Sequence, residues 1–392
     1  MGLSSLPTSL CLLCGRQADE FLAELRDVPV QPNVIFASAA KARSAPRADI
    51  ELAFCDRCGL IWNTRFDPQA ELAYGEEYEN SLHFSREFQR HSEALADRLI
   101  DRYGLAGGHV AEIGSGKGEF LALLCERGSC TGVGFDPSYA GESDHRADGR
   151  LTFVRDLVTE SSDLGEPDLV ACRQVIEHLD DPVGALAAVR RALGGRSTIL
   201  YAEVPSAEYM LREGALWDVI YPHVTYLSAA TLADVLERAG FHVLDHGYSF
   251  RDEYVWVEAS TIPAGGRHET DGDAEISKLV SGFSGRVDAK KRSWEQILLG
   301  FVDRGPLALW GAGAKGVTFL NVVPSAGEIG AVVDVNPRKH GKYLAGTGHV
   351  IEPPDALVEA RPGTVVVMNP AYRDEISQTL DDLGVEAAVM VA

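Results

Sequence analysis

Two short runs of the chain, Cys11-Leu-Leu-Cys14-Gly15 and Cys55-Asp-Arg-Cys58-Gly59, repeat one pattern: a pair of thiols two residues apart, followed by glycine. A tight turn of that length aims both sulfurs at one point, and the glycine tolerates the dihedrals that the turn needs. Cys11, Cys14, Cys55 and Cys58 together make a full tetrahedral set for zinc with no position left for substrate, so the expected role of the metal is structural. A redox pair is the competing use of a single Cys-x-x-Cys, but it gives no reason for a second matching pair. Cys125, Cys130 and Cys172 bring the count to seven, and an odd number argues against a disulfide framework.

A second chemical feature follows His109-Val-Ala-Glu112-Ile113, which reads as a buried strand running into Gly114-Ser115-Gly116-Lys117-Gly118 and then a helix from Glu119. Strand, glycine turn and helix form the nucleotide-binding opening of a doubly wound sheet. The Gly-x-Gly-x-Gly spacing of Gly114, Gly116 and Gly118, with Glu112 just before it, departs from the pattern that admits a pyrophosphate. S-adenosylmethionine has no phosphate and carries an ammonium, a sulfonium and a ribose, so a carboxylate beside the turn suits it. Asp136 ends the next strand, 18 residues past Gly118, where it can accept from both ribose hydroxyls. Asp156, after the third strand, is placed to reach the adenine amino group. A fourth strand, from Asp168 to Cys172, leads into Arg173-Gln174-Val-Ile-Glu-His178, with Gln174 on the cofactor side and His178 beside the transferred methyl group. Turn and acids, in this order, resemble the motifs of class I methyltransferases. A solvated strand-end acid is the alternative for Asp136 and Asp156, and a loop anchor is the alternative for His178.

The fifth strand, near 198–206, precedes Trp217-Asp218-Val-Ile-Tyr221-Pro222-His223-Val-Thr-Tyr226. With the cysteine knuckles, this stretch resembles the bacterial sugar C-methyltransferase family, and the likeness in layout covers essentially the whole chain. The resemblance implies a zinc-binding N-terminal domain, a class I core, a Rossmann-like C-terminal domain and a place in antibiotic biosynthesis. It also implies methylation of the carbon beside the ketone of a nucleotide-linked sugar. Such a carbon must first lose a proton, which requires a base near neutrality and a donor for the developing oxyanion. His223 is the expected base; Tyr221, Tyr78 and His178 are the candidates for holding the ketone oxygen or orienting the ring. Tyr78 and its neighbour Tyr74 have packing as the alternative. Family members read Tyr-His-Glu-His where this chain has Tyr221-Pro222-His223, so methylation of a hydroxyl or amine on a small metabolite also stays open.

Toward the C-terminus, a strand from Pro306 to Trp310 feeds Gly311-Ala-Gly313-Ala-Lys315-Gly316, and a later strand ends at Asp334. This spacing proposes NAD, hence an oxidoreductase. A platform for the substrate's nucleotide diphosphate, using amides at the helix start and Lys315, fits the resemblance instead. A purely structural glycine turn is the third reading.

These residues need elements to hold them. The expected architecture is α/β: residues 1–72 a zinc-binding module, 73–260 a doubly wound class I methyltransferase core, and 261–392 a Rossmann-like substrate-binding domain. A polar linker is expected at 262–273 and one long helix near 274–303. At 392 residues, several domains are the norm. With 36 Lys and Arg against 58 Asp and Glu, the formal charge of -22 repels a phosphate backbone, so a nucleic-acid partner is not expected. Apolar runs are too short for a membrane span and no signal-type segment opens the chain, so the expectation is a cytoplasmic enzyme, monomeric or homodimeric, acting on a small molecule.

Overall fold

The computed structural model describes residues 9–70, 77–141, 149–263, 272–301 and 305–392. The expected 72/73 boundary, Tyr74 and most of the 262–273 linker lie outside the described residues.

The N-terminal part contains β1 (Glu20–Pro29), β2 (Ile35–Phe36), α1 (Ala39–Arg43), β3 (Arg47–Phe54) and β4 (Ile61–Asn63). β1, β3 and β4 lie side by side, antiparallel. β2 is short, because the Ser38 hydroxyl, two residues on, accepts from Lys41 N at 3.3 Å and starts α1.

The middle of the chain forms α2 (Arg86–Tyr103), β5 (His109–Ile113), α3 (Glu119–Gly128), β6 (Thr131–Phe135), β7 (Leu151–Val154) and β8 (Leu169–Arg173). It continues with α4 (Pro182–Ala192), β9 (Ile199–Pro205), α5 (Ala207–Glu213), β10 (Thr225–Tyr226), α6 (Ala229–Arg238), β11 (His242–Ser249) and β12 (Tyr254–Ser260). The sheet order is β11-β12-β9-β8-β5-β6-β7. β5 to β9 are parallel and β12 is antiparallel to both of its neighbours. Val110, Ala111, Leu169 and Val170 are fully buried at its centre, as strands covered by helices on both faces require. Chain order reverses between β5 and β8, the switch point at which strand ends splay and leave a crevice.

The C-terminal part holds α7 (Gly272–Val280), α8 (Phe283–Phe301), β13 (Leu307–Trp310), α9 (Ala314–Val322), β14 (Ile329–Val333), β15 (Tyr343–Leu344) and β16 (Ile351–Glu352). α10 (Leu357–Ala360), β17 (Thr364–Val367), α11 (Arg373–Leu383) and β18 (Ala388–Val391) complete it. Its sheet is parallel in the order β16-β14-β13-β17-β18, the expected Rossmann-like form. The single helix expected near 274–303 is two, because Gly282 adopts φ 76° and turns the chain between α7 and α8.

Two short pairings tie these parts together. β10, from the middle of the chain, extends the N-terminal sheet by pairing Thr225 with Trp62 and Tyr226 with Ile61. β2 pairs with β15 of the C-terminal part. Among the described residues, no helix is long and apolar enough to cross a membrane.

Candidate active site

The four knuckle cysteines converge. Cys11 and Cys58 sulfurs are 3.4 Å apart, Cys14 and Cys55 3.5 Å, and Cys14 and Cys58 3.9 Å. A tetrahedron with metal–sulfur bonds of about 2.3 Å has edges of about 3.8 Å, so the set fits zinc with little movement. Gly15 and Gly59 both adopt φ 70°, and their amides close the turns onto the Cys11 and Cys55 carbonyls at 2.9 Å. The knuckles rest on α6: the Thr231 hydroxyl donates to Cys58 O and Arg238 to Leu13 O. From there β4 holds the next segment, with Asn63 N donating to Val224 O at 2.9 Å.

The glycine turn after β5 has divided duties. A Cβ on Gly114 would lie 2.1 Å from Val175, and one on Gly118 2.4 Å from Phe153, whereas Gly116 faces open space. Asp136 accepts from Gly116 N at 2.7 Å through one oxygen and from Ser138 N at 2.7 Å through the other. Glu112, beneath the turn, accepts from Leu121 N, and burial pushes its carboxyl up to about 8. Asp156 accepts from Leu157 N. Gln174 is a non-glycine residue at φ 56°, its amide donating to Glu203 O. Such strain at a cavity wall points to function. Gln174 Nε2 and Ser115 Oγ are buried without hydrogen-bond partners among the described residues. Unsatisfied polar atoms beside a glycine that faces open space are what a polar ligand would complete, and S-adenosylmethionine fits that requirement.

Glu112, Gly114, Gly116, Asp136, Asp156 and Gln174 all line one cavity of about 600 Å³. His178, His223 and Tyr78 line it as well. The two imidazole rings meet edge to face at 4.9 Å, and His178 Nδ1 lies 3.0 Å from Pro222 O. Burial lowers His178 to about 4 and holds His223 well below its ordinary range, with the neighbouring His178 adding to the effect. The near-neutral titration expected of His223 is therefore overturned by desolvation: both rings are neutral at physiological pH. Tyr78 accepts from Asn80 at 3.3 Å, and burial raises its hydroxyl to about 12.

Tyr221 is a correction. Its hydroxyl accepts from Asp67 N at 3.0 Å and donates to Arg65 O, and its ring packs on Phe66 at 5.8 Å. It is fully buried against the N-terminal sheet and does not reach the cavity, so it cannot hold a ketone oxygen. Glu177, which motif spacing did not single out, does reach it.

The C-terminal turn opens on the same space: Gly311, Gly313, Lys315 and Gly316 are wall residues. A Cβ on Gly316 would lie 2.1 Å from Gly311 O, which explains the last glycine of the spacing by packing. Ala312 N donates to Asp334, whose carboxylate also takes Lys339 at 3.2 Å. Lys315 departs from expectation. Its ammonium lies between Asp218, at 2.8 Å, and Glu253, both from the middle part of the chain, so it is not a spare cation for a diphosphate. The two carboxylates hold it charged in spite of burial.

The sheet order, the glycine turn with an acid at the end of the following strand, and the cavity at the switch point define a class I S-adenosylmethionine-dependent methyltransferase. Residues 88–246 match a family model described as a methyltransferase domain, and residues 258–391 match the C-methyltransferase C-terminal domain. The chain is similar to C-methyltransferase NovU of Streptomyces niveus, at 24% identity covering 94% of this chain and 91% of that one. The two matches and this relative are consistent with the bacterial C-methyltransferase family. A ubiquinone biosynthesis O-methyltransferase of Xylella fastidiosa is 29% identical over 38% of this chain and 67% of its own. The solved 1,6-didemethyltoxoflavin-N1-methyltransferase of Burkholderia thailandensis is 16% identical, with a TM-score of 0.35 over 45% of this chain and 82% of that one.

Proposed function

We propose that the enzyme transfers a methyl group to the carbon beside the ketone of a nucleotide-linked deoxysugar, through an enolate. The observation that carries this reading is the single cavity: the glycine turn after β5, the two histidines and the glycine turn after β13 all border it. A methyl donor on one side and a nucleotide-bearing acceptor on the other would then meet at the histidines. Similarity to a protein named as a C-methyltransferase supports carbon as the acceptor.

In this reading Asp136 holds the ribose, Asp156 the adenine amino group, and Glu112, Gly114, Gly116 and Gln174 the rest of the donor, while Gly118, packed on Phe153 and off the cavity wall, only shapes the turn. Bound S-adenosylmethionine supplies an electrophilic methyl group. His223 takes the proton from the carbon, while His178 and Tyr78 face the ketone oxygen. The amides around Gly311, Gly313 and Gly316 receive the diphosphate at the start of α9. Zinc held by Cys11, Cys14, Cys55 and Cys58 stabilises the module that carries β4. The chain divides into functional units near 72 and 260, and works on a small molecule in the cytoplasm.

Two measurements test the proposal. In deuterated buffer with a dTDP-4-keto-6-deoxyhexose, label enters the carbon beside the ketone before methylation; no exchange with a substrate that turns over removes the enolate. NMR of the product shows a new carbon–carbon bond; a methyl on oxygen or nitrogen favours the second reading, for which Pro222 leaves room.

A further inference from the structure

Glu177 lies in the short turn Ile176–His178, is 2% exposed and borders the cavity. Neither of its carboxylate oxygens has a hydrogen-bond partner among the described residues. Burying a carboxyl unpaired is costly, and such groups persist where function needs them. Across from it, His223 Nδ1 is buried and also without a hydrogen-bond partner among the described residues. One ligand-capable atom from each of Glu177, His178 and His223 falls within 4.8 Å of the others. His178 Nε2 is 4.0 Å from Glu177 Oε1, and its Nδ1 faces the Pro222 carbonyl, which fixes the ring's orientation. Val224 N donates to Glu177 O at 2.8 Å, so main chain rather than side-chain rotamers sets the separation of the two segments.

Building on the proposed enolate chemistry, we infer that Glu177 is the carboxylate partner of His223 in proton transfer, supplying the negative charge that an imidazolium in this buried site requires. The carbon–hydrogen bond beside the ketone breaks, its proton goes to the His223 imidazole, and the electron pair moves onto the carbonyl oxygen as an enolate. The enolate carbon then bonds to the methyl group as the methyl–sulfur bond breaks. The proton leaves His223 for solvent by way of the Glu177 carboxylate. Glu177 acts through His223 and is a positioning and charge-compensating residue.

The groups facing Glu177 are His178 on its own turn, His223 from the segment after Trp217, Glu203 on β9, Cys172 on β8 and Tyr78. Burial, with Glu203 adding to it, pushes the Glu177 carboxyl up to about 8, whereas burial keeps both imidazoles neutral. At neutral pH the trio therefore carries one dissociable proton, on Glu177. The working form has Glu177 ionised and His223 neutral, so proton abstraction accelerates as pH rises through about 8.

The test uses zinc-loaded full-length protein, wild type against Glu177→Gln and Glu177→Asp, with S-adenosylhomocysteine binding confirming that each is folded. The first arm needs no substrate: in 15N-histidine NMR, the His223 nitrogens pass through a transition near pH 8 in the wild type, and Glu177→Gln abolishes it. An identical titration in both proteins overturns the inference. The second arm follows deuterium exchange into dTDP-4-keto-6-deoxyglucose. Glu177→Gln lowers kcat for exchange by about 100-fold and flattens its pH profile, KM changes little, and Glu177→Asp restores part of the rate. Unchanged exchange in Glu177→Gln overturns the inference; no exchange in the wild type rejects the enolate proposal, and the first arm then decides alone. Metal analysis closes the test. One equivalent of zinc per chain supports a proton role, whereas a second equivalent lost on Glu177→Gln makes the trio a metal site and overturns it.

Discussion

His223 and Tyr221 sit two residues apart and point into different worlds. His223→Asn is expected to cut kcat for methylation by at least about 100-fold while S-adenosylmethionine affinity holds, as stopped assays beside calorimetry would show. Tyr221→Phe should leave kcat/KM within about threefold and remove about 1 kcal/mol from the unfolding free energy measured by denaturant titration, since it deletes only the link to Arg65 and Asp67. A large rate loss in Tyr221→Phe would return that hydroxyl to the chemistry. Glu112 makes a prediction in pH. Its carboxyl is neutral in the folded protein up to about 8 and ionises near its ordinary range when unfolded. The folded state therefore holds the extra proton between those values. Stability of the ligand-free protein falls as pH rises from about 4.5 to 8, and Glu112→Gln reduces that slope in denaturant titrations. The cysteines, the turn glycines and Asp136 were legible as residues because their chemistry depends on spacing along one local segment. Glu177 was not, because a glutamate beside a histidine before a helix reads as a solvated cap until burial is known.

At the scale of elements, the four-cysteine module supplies an edge strand. β4 holds β10, and Asn63 N holds Val224 O, so the segment carrying His223 is ordered by the sheet whose strand β4 follows the second cysteine knuckle. Cys58→Ser, or stripping zinc with a chelator, is expected to abolish methylation while the donor site, built on β5 and β6, keeps most of its affinity for S-adenosylhomocysteine. Equal loss of both would mean that the module supports the whole molecule and not this segment. The strands of the core were readable from apolar runs ending in glycine or acid, because parallel strands buried on both faces leave that mark. β10 was not, since two residues carry no period and its partner lies far back in the sequence. The same distance hid which way Tyr221 faces. The break between α7 and α8 was missed because one glycine in a helical pattern is often tolerated, and only its left-handed dihedral ends the helix.

For the whole molecule, the parallel strands of two sheets turn their carboxyl ends toward one cavity, and buried charge joins the sheets. Lys315 on α9 lies between Asp218 and Glu253, and Asn369 donates to Glu253 at 2.7 Å. Lys315→Met strands two carboxylates; a loss of about 3 kcal/mol is expected, together with a KM for the nucleotide sugar raised about tenfold and an unchanged donor Kd. Motif spacing offered NAD, a diphosphate or plain packing for the second glycine turn, because spacing alone does not say what the turn faces. The measurement closest to the centre of this picture is a crystal structure of zinc-loaded protein with S-adenosylhomocysteine and a dTDP-sugar. Expected is the adenosyl ribose on Asp136 and the nucleotide diphosphate against Gly311–Gly316, with the sugar ring at His223. A donor site empty at saturating ligand, or a nucleotide bound away from the shared cavity, would contradict it.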